Sequence, residues 1–123
     1  METKKILIVE DEADIREAMA EAITSAGFIT LTAENGRVGL EIALKEHPDL
    51  ILLDLMMPVL NGHETLKKLR DDTWGQHAKV IVLTAMDDVT NIATAHQKPI
   101  NDYIIKAHTS LDELIKKIRL ALV

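Results

Sequence analysis

The segment DLILLDLMMPVLNG, residues 49–62, decides how this chain folds. Its run from Leu50 to Leu53 shows no polar alternation, so it predicts a strand covered on both faces, as in a parallel sheet between helices. Pro58 cannot donate a ladder hydrogen bond and Asn61–Gly62 is a turn pair, so the strand has ended before them. Asp54 is therefore predicted at the carboxyl end of a strand, the edge where ligands collect in open α/β sheets.

Apolar runs elsewhere in the chain end in the same way. These three runs are Ile6–Val9, Val80–Leu83 and Tyr103–Ile105, and Leu50–Leu53 is the fourth. The polar residues that follow them are Glu10 and Asp11, Asp54, Thr84, and Lys106. Because helical apolar spacing separates the strand patterns, we predict alternating βα units and a parallel sheet. In a parallel sheet, these five side chains gather at one end.

Local signals add detail to this arrangement. Gly39 inside the second predicted helix costs on the order of 1 kcal/mol relative to Ala, which predicts close packing of that helix against the sheet. On the third predicted helix, Leu66 and Leu69 are expected inward and Lys67, Lys68 and Arg70 outward. Trp74 is expected to cover the end of this helix. The segment SLDE, residues 110–113, is a capping box that opens the last helix.

The strand-end residues, together with Asp-Leu-Met-Met-Pro-x-x-Asn-Gly at 54–62, resemble the receiver domain of two-component response regulators. The resemblance covers nearly the whole chain. It implies a three-layer α/β/α sandwich with a five-stranded parallel sheet in the flavodoxin-like order 2-1-3-4-5 and five helices. We expect a single receiver domain over residues 1–123, with no output domain in this chain. The domain either stands alone or is excised from a longer protein.

The resemblance assigns Asp54 as the phosphoacceptor, whose carboxylate attacks phosphorus and becomes an aspartyl phosphate. It also implies Mg²⁺, an ion that prefers oxygen ligands and neutralises phosphoryl charge. Asp11 and Asp54 are expected as direct ligands, with Glu10 holding a metal-bound water. The backbone carbonyl of Met56 completes the protein ligands.

The remaining site residues are assigned to binding and switching. By resemblance, Lys106 neutralises Asp54 and then holds a phosphoryl oxygen, and Thr84 donates its hydroxyl to another. Tyr103 turns inward when Thr84 is drawn toward the phosphoryl group, so signalling is a population shift between two packings. Taken singly, these residues also have ordinary interpretations: a solvated lysine, a threonine that suits a strand, and an edge-strand tyrosine with a solvated hydroxyl.

The chain departs from the family pattern at two places. The family lysine is usually followed by a proline in a cis bond, whereas Lys106 is followed by Ala107. A cis bond before a non-proline residue costs roughly 2.5–4 kcal/mol, so we predict a trans bond here. Pro99–Ile100 replaces the small pair that often precedes the fifth strand. Both changes bear on the output face, formed by a weak fourth helix predicted at 87–95, the fifth strand and the last helix.

Composition fits this interpretation and excludes others. A chain of 123 residues with 47% hydrophobic residues forms one soluble globular domain. The 20 acidic and 14 basic residues argue against non-specific binding to nucleic acid or anionic membrane, and no helix-turn-helix or basic patch indicates DNA binding. There is no cysteine for a disulfide or thiolate site. With no signal peptide or membrane span visible, we expect a cytoplasmic protein.

We expect a sensor histidine kinase or a histidine phosphotransfer protein as donor and a protein target at the output face. The domain is not expected to be an enzyme beyond its own phosphorylation and slow autodephosphorylation. An aspartyl-phosphate hydrolase would need a second aspartate where Met56 stands, and a cofactor binder would need a glycine-rich phosphate loop. The alternative is a receiver-like interaction module independent of phosphate. The histidines are expected to be surface residues: His47, His63, His77, His96 and His108.

Overall fold

The computed structural model describes residues 3–54, 61–84, 102–105 and 109–123. Five strands are described: β1 Lys5–Val9, β2 Ile29–Ala33, β3 Leu50–Asp54, β4 Val80–Thr84 and β5 Asp102–Ile105. The described helices are α1 Ala13–Ser25, α2 Gly36–Glu46, α3 Gly62–Asp71 and α4 Leu111–Ala121, with a 3-10 turn at Gly75–His77. The helix predicted at 87–95 lies outside the described residues, as do Pro99–Ile100 and the Lys106–Ala107 bond. Within the described ranges, no helix is both long and apolar enough to cross a membrane.

The strands form one parallel sheet in the predicted order, β2-β1-β3-β4-β5. The register pairs Val9, the last residue of β1, with Leu53, the residue before the end of β3. Asp54 pairs with Leu83 on β4, and Thr84 pairs with Ile105 on β5. The carboxyl ends of all five strands therefore meet at one edge of the sheet.

Helices cover the sheet on both faces, as the apolar run of β3 predicted. Leu50 and Leu52 pack in one core, which contains the buried side chains Met19 and Ile23 of α1 and Leu114 and Ile118 of α4. Ile51 and Leu53 pack in the second core, which contains Ala43 of α2 and Leu66 and Leu69 of α3. Because successive side chains of a strand point to opposite faces, an unbroken apolar strand supplies both cores. The three-layer α/β/α sandwich is confirmed.

Gly39 brings α2 close to β1, as predicted. A Cβ atom at this position would lie 2.6 Å from Cγ2 and 2.9 Å from Cγ1 of Val9, closer than carbon atoms normally approach. Val9 is buried and β-branched, so its χ1 has little freedom to move away. The glycine is therefore explained by this contact rather than by helix propensity.

Hydrogen bonds at α3 depart from two predictions. Asn61, expected in a turn pair, is the N-cap: its Oδ1 accepts from the backbone N of Glu64 at 2.9 Å and its Nδ2 donates to Glu64 Oε1 at 3.0 Å. Lys67 and Lys68 are exposed as predicted. Arg70 is only partly exposed, and its Nη1 donates to the backbone O of Gly75 at 2.6 Å and of Ala78 at 2.8 Å. Its burial lowers the pKa of the guanidinium, and the side chain fastens the 3-10 turn.

The amino ends of the strands carry a stacked aromatic pair. His47 ends α2 with φ 48°, a left-handed conformation uncommon outside glycine. Its ring stacks on Trp74, with ring centroids 4.4 Å apart and an interplanar angle of 8°. Trp74 packs against the core shared with α3. At the other end of the molecule, Ser110 caps α4 as predicted, because its side chain accepts from the backbone N of Glu113 at 3.2 Å.

Candidate functional site

Three carboxylates meet at the carboxyl edge of the sheet. Glu10 and Asp11 follow β1, and Asp54 is the last residue of β3. One carboxylate oxygen from each residue can be chosen so that all three lie within 4.8 Å of one another. Glu10 is 0% and Asp54 2% exposed, while Asp11 is partly exposed to solvent. The pairing of Val9 with Leu53 explains this cluster, because it places Glu10, which follows Val9, beside Asp54, which follows Leu53.

Hydrogen bonds to three parts of the chain hold the loop that carries Glu10 and Asp11. The backbone N of Glu10 donates to Ala33 O at 3.1 Å, which extends the β1–β2 ladder by one residue. The Glu10 carboxylate accepts from the backbone N of Glu12 at 3.2 Å. Nη1 of Arg16, on α1, donates to the backbone O of Glu10 at 2.9 Å and of Asp11 at 3.4 Å.

Arg16 is the residue of this site that the sequence analysis missed. Its only signal in the sequence is a basic side chain shortly after an acidic strand end, which is also typical of an ordinary surface helix. Its contact with the loop depends on the angle at which α1 leaves β1, and apolar periodicity does not determine that angle.

The donor set suits a hard divalent cation. Oxygen ligands are what Mg²⁺ and Ca²⁺ take in proteins, and Mg²⁺ is usually held by one or two carboxylates together with water. Here one partly exposed carboxylate, Asp11, stands beside the two buried carboxylates of Glu10 and Asp54. A cation bound by this group can reach solvent or a substrate on the Asp11 side. The residues present therefore fit a metal ion with open coordination positions.

The other predicted site residues are described only in part. The backbones of Thr84 and Tyr103 lie on neighbouring strands, where Thr84 pairs with Ile105 and Tyr103 with Val82. Their side chains lie outside what the structure describes, as do Lys106 and Met56. The structure thus brings Glu10, Asp11 and Asp54 together, and the roles of the other four residues stay predictions.

The sequence matches the family described as the response regulator receiver domain over residues 6–119. The chain belongs to this family. The receiver domain is 37% identical over 119 residues to the probable transcriptional regulator ycf27 of Porphyridium aerugineum, covering 97% of this chain and 48% of that protein. It is 32% identical to the response regulator MprA of Mycolicibacterium vanbaalenii, covering 94% of this chain and 48% of that protein. The receiver domain spans about half the length of the curated relatives it matches.

Solved structures agree with this assignment. The chemotaxis protein CheY4 of Vibrio cholerae superposes with a TM-score of 0.91 at 26% identity, covering 98% of this receiver domain and 100% of that chain. The flavodoxin-like fold that the resemblance implied is confirmed by this likeness and by the observed sheet order. The chain is a response regulator receiver domain of two-component signalling systems.

Proposed function

We propose that this receiver domain accepts a phosphoryl group on Asp54 from a phosphohistidine, with Mg²⁺ as cofactor. One observation carries the proposal: the Asp54 carboxylate stands at the end of a central strand, grouped with the carboxylates of Glu10 and Asp11. The membership of the chain in the receiver family supports the same role. The donor is a sensor histidine kinase or a histidine phosphotransfer protein.

In the proposed reaction, a carboxylate oxygen of Asp54 attacks the phosphorus of the donor. The new O–P bond forms as the N–P bond breaks, and the imidazole nitrogen leaves with the electron pair of that bond. Phosphoryl transfer needs mainly positioning and charge stabilisation. Asp11 and Asp54 would hold Mg²⁺ directly and Glu10 through water, and the bound ion would supply positive charge toward the phosphoryl oxygens. Lys106 and Thr84 would bind the other phosphoryl oxygens, and Met56 would add a backbone carbonyl to the metal ligands.

The described residues also line a groove beside the site. A groove of about 270 Å³ runs between α1 and α4, and its lining is mostly apolar, with Ile15, Ala18, Leu111 and Leu114 among its residues. Asp14, three residues after Asp11, lies at the same groove. A donor protein seated there would present its phosphohistidine to the carboxylate edge. We include this groove in the proposal as the donor's docking surface.

The proposed output is a conformational switch through Thr84 and Tyr103 that changes a face recognised by another protein. That face includes β5 and α4. DNA binding by this domain is not part of the proposal, because its 20 acidic and 14 basic residues disfavour contact with a polyanion. The domain is proposed to be no enzyme beyond its own phosphorylation and slow autodephosphorylation. A cytoplasmic location belongs to the same proposal.

The test is intact mass spectrometry after incubation with Mg²⁺ and acetyl phosphate. We expect one added phosphoryl group on the wild type, none after chelation of the metal, and none on Asp54→Asn. Asp71→Asn is the matched control, since Asp71 is an exposed aspartate at the end of α3. A folded wild type that gains no phosphoryl group would reject the proposal in favour of the phosphate-independent interaction module.

A further inference from the structure

The main chain of the Glu10–Asp11 loop is held by Arg16. Its Nη1 lies 2.9 Å from the backbone O of Glu10 and 3.4 Å from that of Asp11. Both acceptors are main-chain oxygens, so the guanidinium acts on the course of the loop rather than on the carboxylates. The two N–H groups of Nη1 lie in the plane of the guanidinium, so this one nitrogen can bridge two neighbouring carbonyls in a fixed geometry.

This contact affects the carboxylate site, because the loop carries Glu10 and Asp11, which supply two of the three carboxylates of the site. Glu10 is 0% exposed, and its carboxylate accepts from the backbone N of Glu12 at 3.2 Å. The backbone N of Glu10 is already tied to Ala33 O. Arg16 restrains the next two peptide units through the carbonyls of Glu10 and Asp11. The side chains of Glu10 and Asp11 therefore leave the backbone between these restraints.

We propose that Arg16 is a positioning residue of this site, whose guanidinium fixes the main chain of Glu10 and Asp11 so that their carboxylates are held ready for a divalent cation. The inference rests on the proposed function, because it concerns the same carboxylates. In metal sites generally, the groups that orient ligands are worth about 10–100-fold in metal affinity.

The positive charge of Arg16 acts in the opposite direction. A cation beside a metal site repels the metal, so loss of the charge alone would tighten Mg²⁺ binding. Loss of the bridging hydrogen bonds would weaken it. Arg16→Lys separates the two effects, because lysine keeps the charge but replaces the two in-plane N–H groups of Nη1 with a rotating ammonium group on a flexible stem.

The experiment is a calorimetric titration of Mg²⁺ into the metal-free wild type, Arg16→Lys and Arg37→Lys. Arg37 is the matched control, because it is an exposed arginine on α2. We expect Arg16→Lys to bind Mg²⁺ about tenfold more weakly than the wild type and Arg37→Lys to bind it equally well. At saturating Mg²⁺, Arg16→Lys should still gain one phosphoryl group from acetyl phosphate.

Hydrogen exchange without metal gives a second measurement of positioning. The backbone N–H of Glu12 should exchange faster in Arg16→Lys, while the amides of residues 29–33 keep the wild-type rate. Wild-type or tighter Mg²⁺ affinity in Arg16→Lys, or equal weakening in Arg37→Lys, would overturn the inference. No Mg²⁺ binding and no phosphorylation in the wild type would reject the proposed function as well, so the two failures are distinguishable.

Discussion

Gly39 sets the distance between α2 and β1. A methyl group there would stand 2.6 Å from Val9 Cγ2. Overpacking of a buried site typically costs about 1–3 kcal/mol, which outweighs the gain of about 1 kcal/mol that alanine brings to a helix. We therefore expect Gly39→Ala to lower the free energy of unfolding, measured by urea denaturation followed by circular dichroism.

The double variant Val9→Ala/Gly39→Ala provides the control for this prediction. Val9→Ala removes both methyl groups that the new Cβ would meet. The double variant should therefore be more stable than the sum of the two single effects, with a coupling of about 0.5–3 kcal/mol. Additive effects, or a Gly39→Ala protein more stable than the wild type, would show that the close approach constrains nothing.

At the scale of residues, the sequence predicted the carboxylates but not the arginines. Asp54 and Glu10 were found because each directly follows an apolar run, and the strand pattern alone defines that position. Arg70 was predicted outward with Lys67 and Lys68, yet it donates to Gly75 O and Ala78 O. Those carbonyls belong to the 3-10 turn at Gly75–His77 and to the residue that follows it. The periodicity of α3 does not predict where that turn lies relative to the helix.

The end of α2 gives a prediction at the scale of elements. His47 has φ 48°. In this left-handed conformation the Cβ of an alanine is sterically strained, whereas a glycine adopts the conformation freely. Both His47→Gly and His47→Ala lose the ring stack on Trp74, which contributes about 0.5–1.5 kcal/mol. We expect His47→Gly to be more stable than His47→Ala by up to about 1 kcal/mol, measured by thermal unfolding.

Glu41, exposed in the middle of α2, is the matched control. There the order should reverse, because glycine is about 1 kcal/mol less favourable than alanine inside a helix. The same order at both positions would contradict a left-handed cap at His47.

The groove between α1 and α4 gives a second prediction at this scale. Leu111 lines the groove and is 44% exposed, whereas Leu120, 75% exposed, lies toward the other end of the same helix. Leu111→Gln should weaken transfer from a phosphorylated histidine phosphotransfer protein by about fivefold, the effect of losing about 1 kcal/mol of apolar burial. The measurement is the transfer rate at subsaturating donor.

Leu120→Gln should leave that transfer rate unchanged. Phosphorylation by acetyl phosphate, which needs no docking surface, should be alike in both variants. Equal loss of transfer in the two variants would place the docking surface elsewhere.

At the scale of elements, the sequence predicted the strands well and the connections less well. The β3 strand was found because the apolar run Leu50–Leu53 is short and is soon followed by Pro58 and a turn pair. In the structure, all five residues of β3 are buried. Asn61–Gly62 was predicted as a turn, although Asn61 caps α3 directly. The same asparagine suits a turn and an N-cap, and only the hydrogen bond to Glu64 distinguishes them.

For the whole molecule, metal binding should be coupled to folding. A cation that binds only the folded state at 100 times its dissociation constant adds about 2.7 kcal/mol to the free energy of unfolding. For a domain of this size, we expect Tm to rise by roughly 10 °C in Mg²⁺. The measurement is thermal unfolding by circular dichroism, with NaCl at equal ionic strength as the reference.

Asp11→Asn should lose most of this Mg²⁺-dependent rise in Tm, because it removes the accessible carboxylate of the cluster. Asp71→Asn, the exposed control on α3, should retain it. A rise in Tm of equal size in all three proteins would mean that Mg²⁺ acts on the surface at large and not at the strand ends.

The place of Trp74 has an optical consequence. It is the only tryptophan of the chain, and it lines a depression with Lys4, Asp49 and Lys79, the residues that precede β1, β3 and β4. The length of β3, roughly 16 Å, separates this end of the sheet from the carboxylates. The fluorescence of Trp74 should therefore report whether its stack on His47 is intact. It should not report whether a metal ion occupies the carboxylate site. Trp74 fluorescence could thus serve as an internal reference for the signal of a dye attached near Asp54.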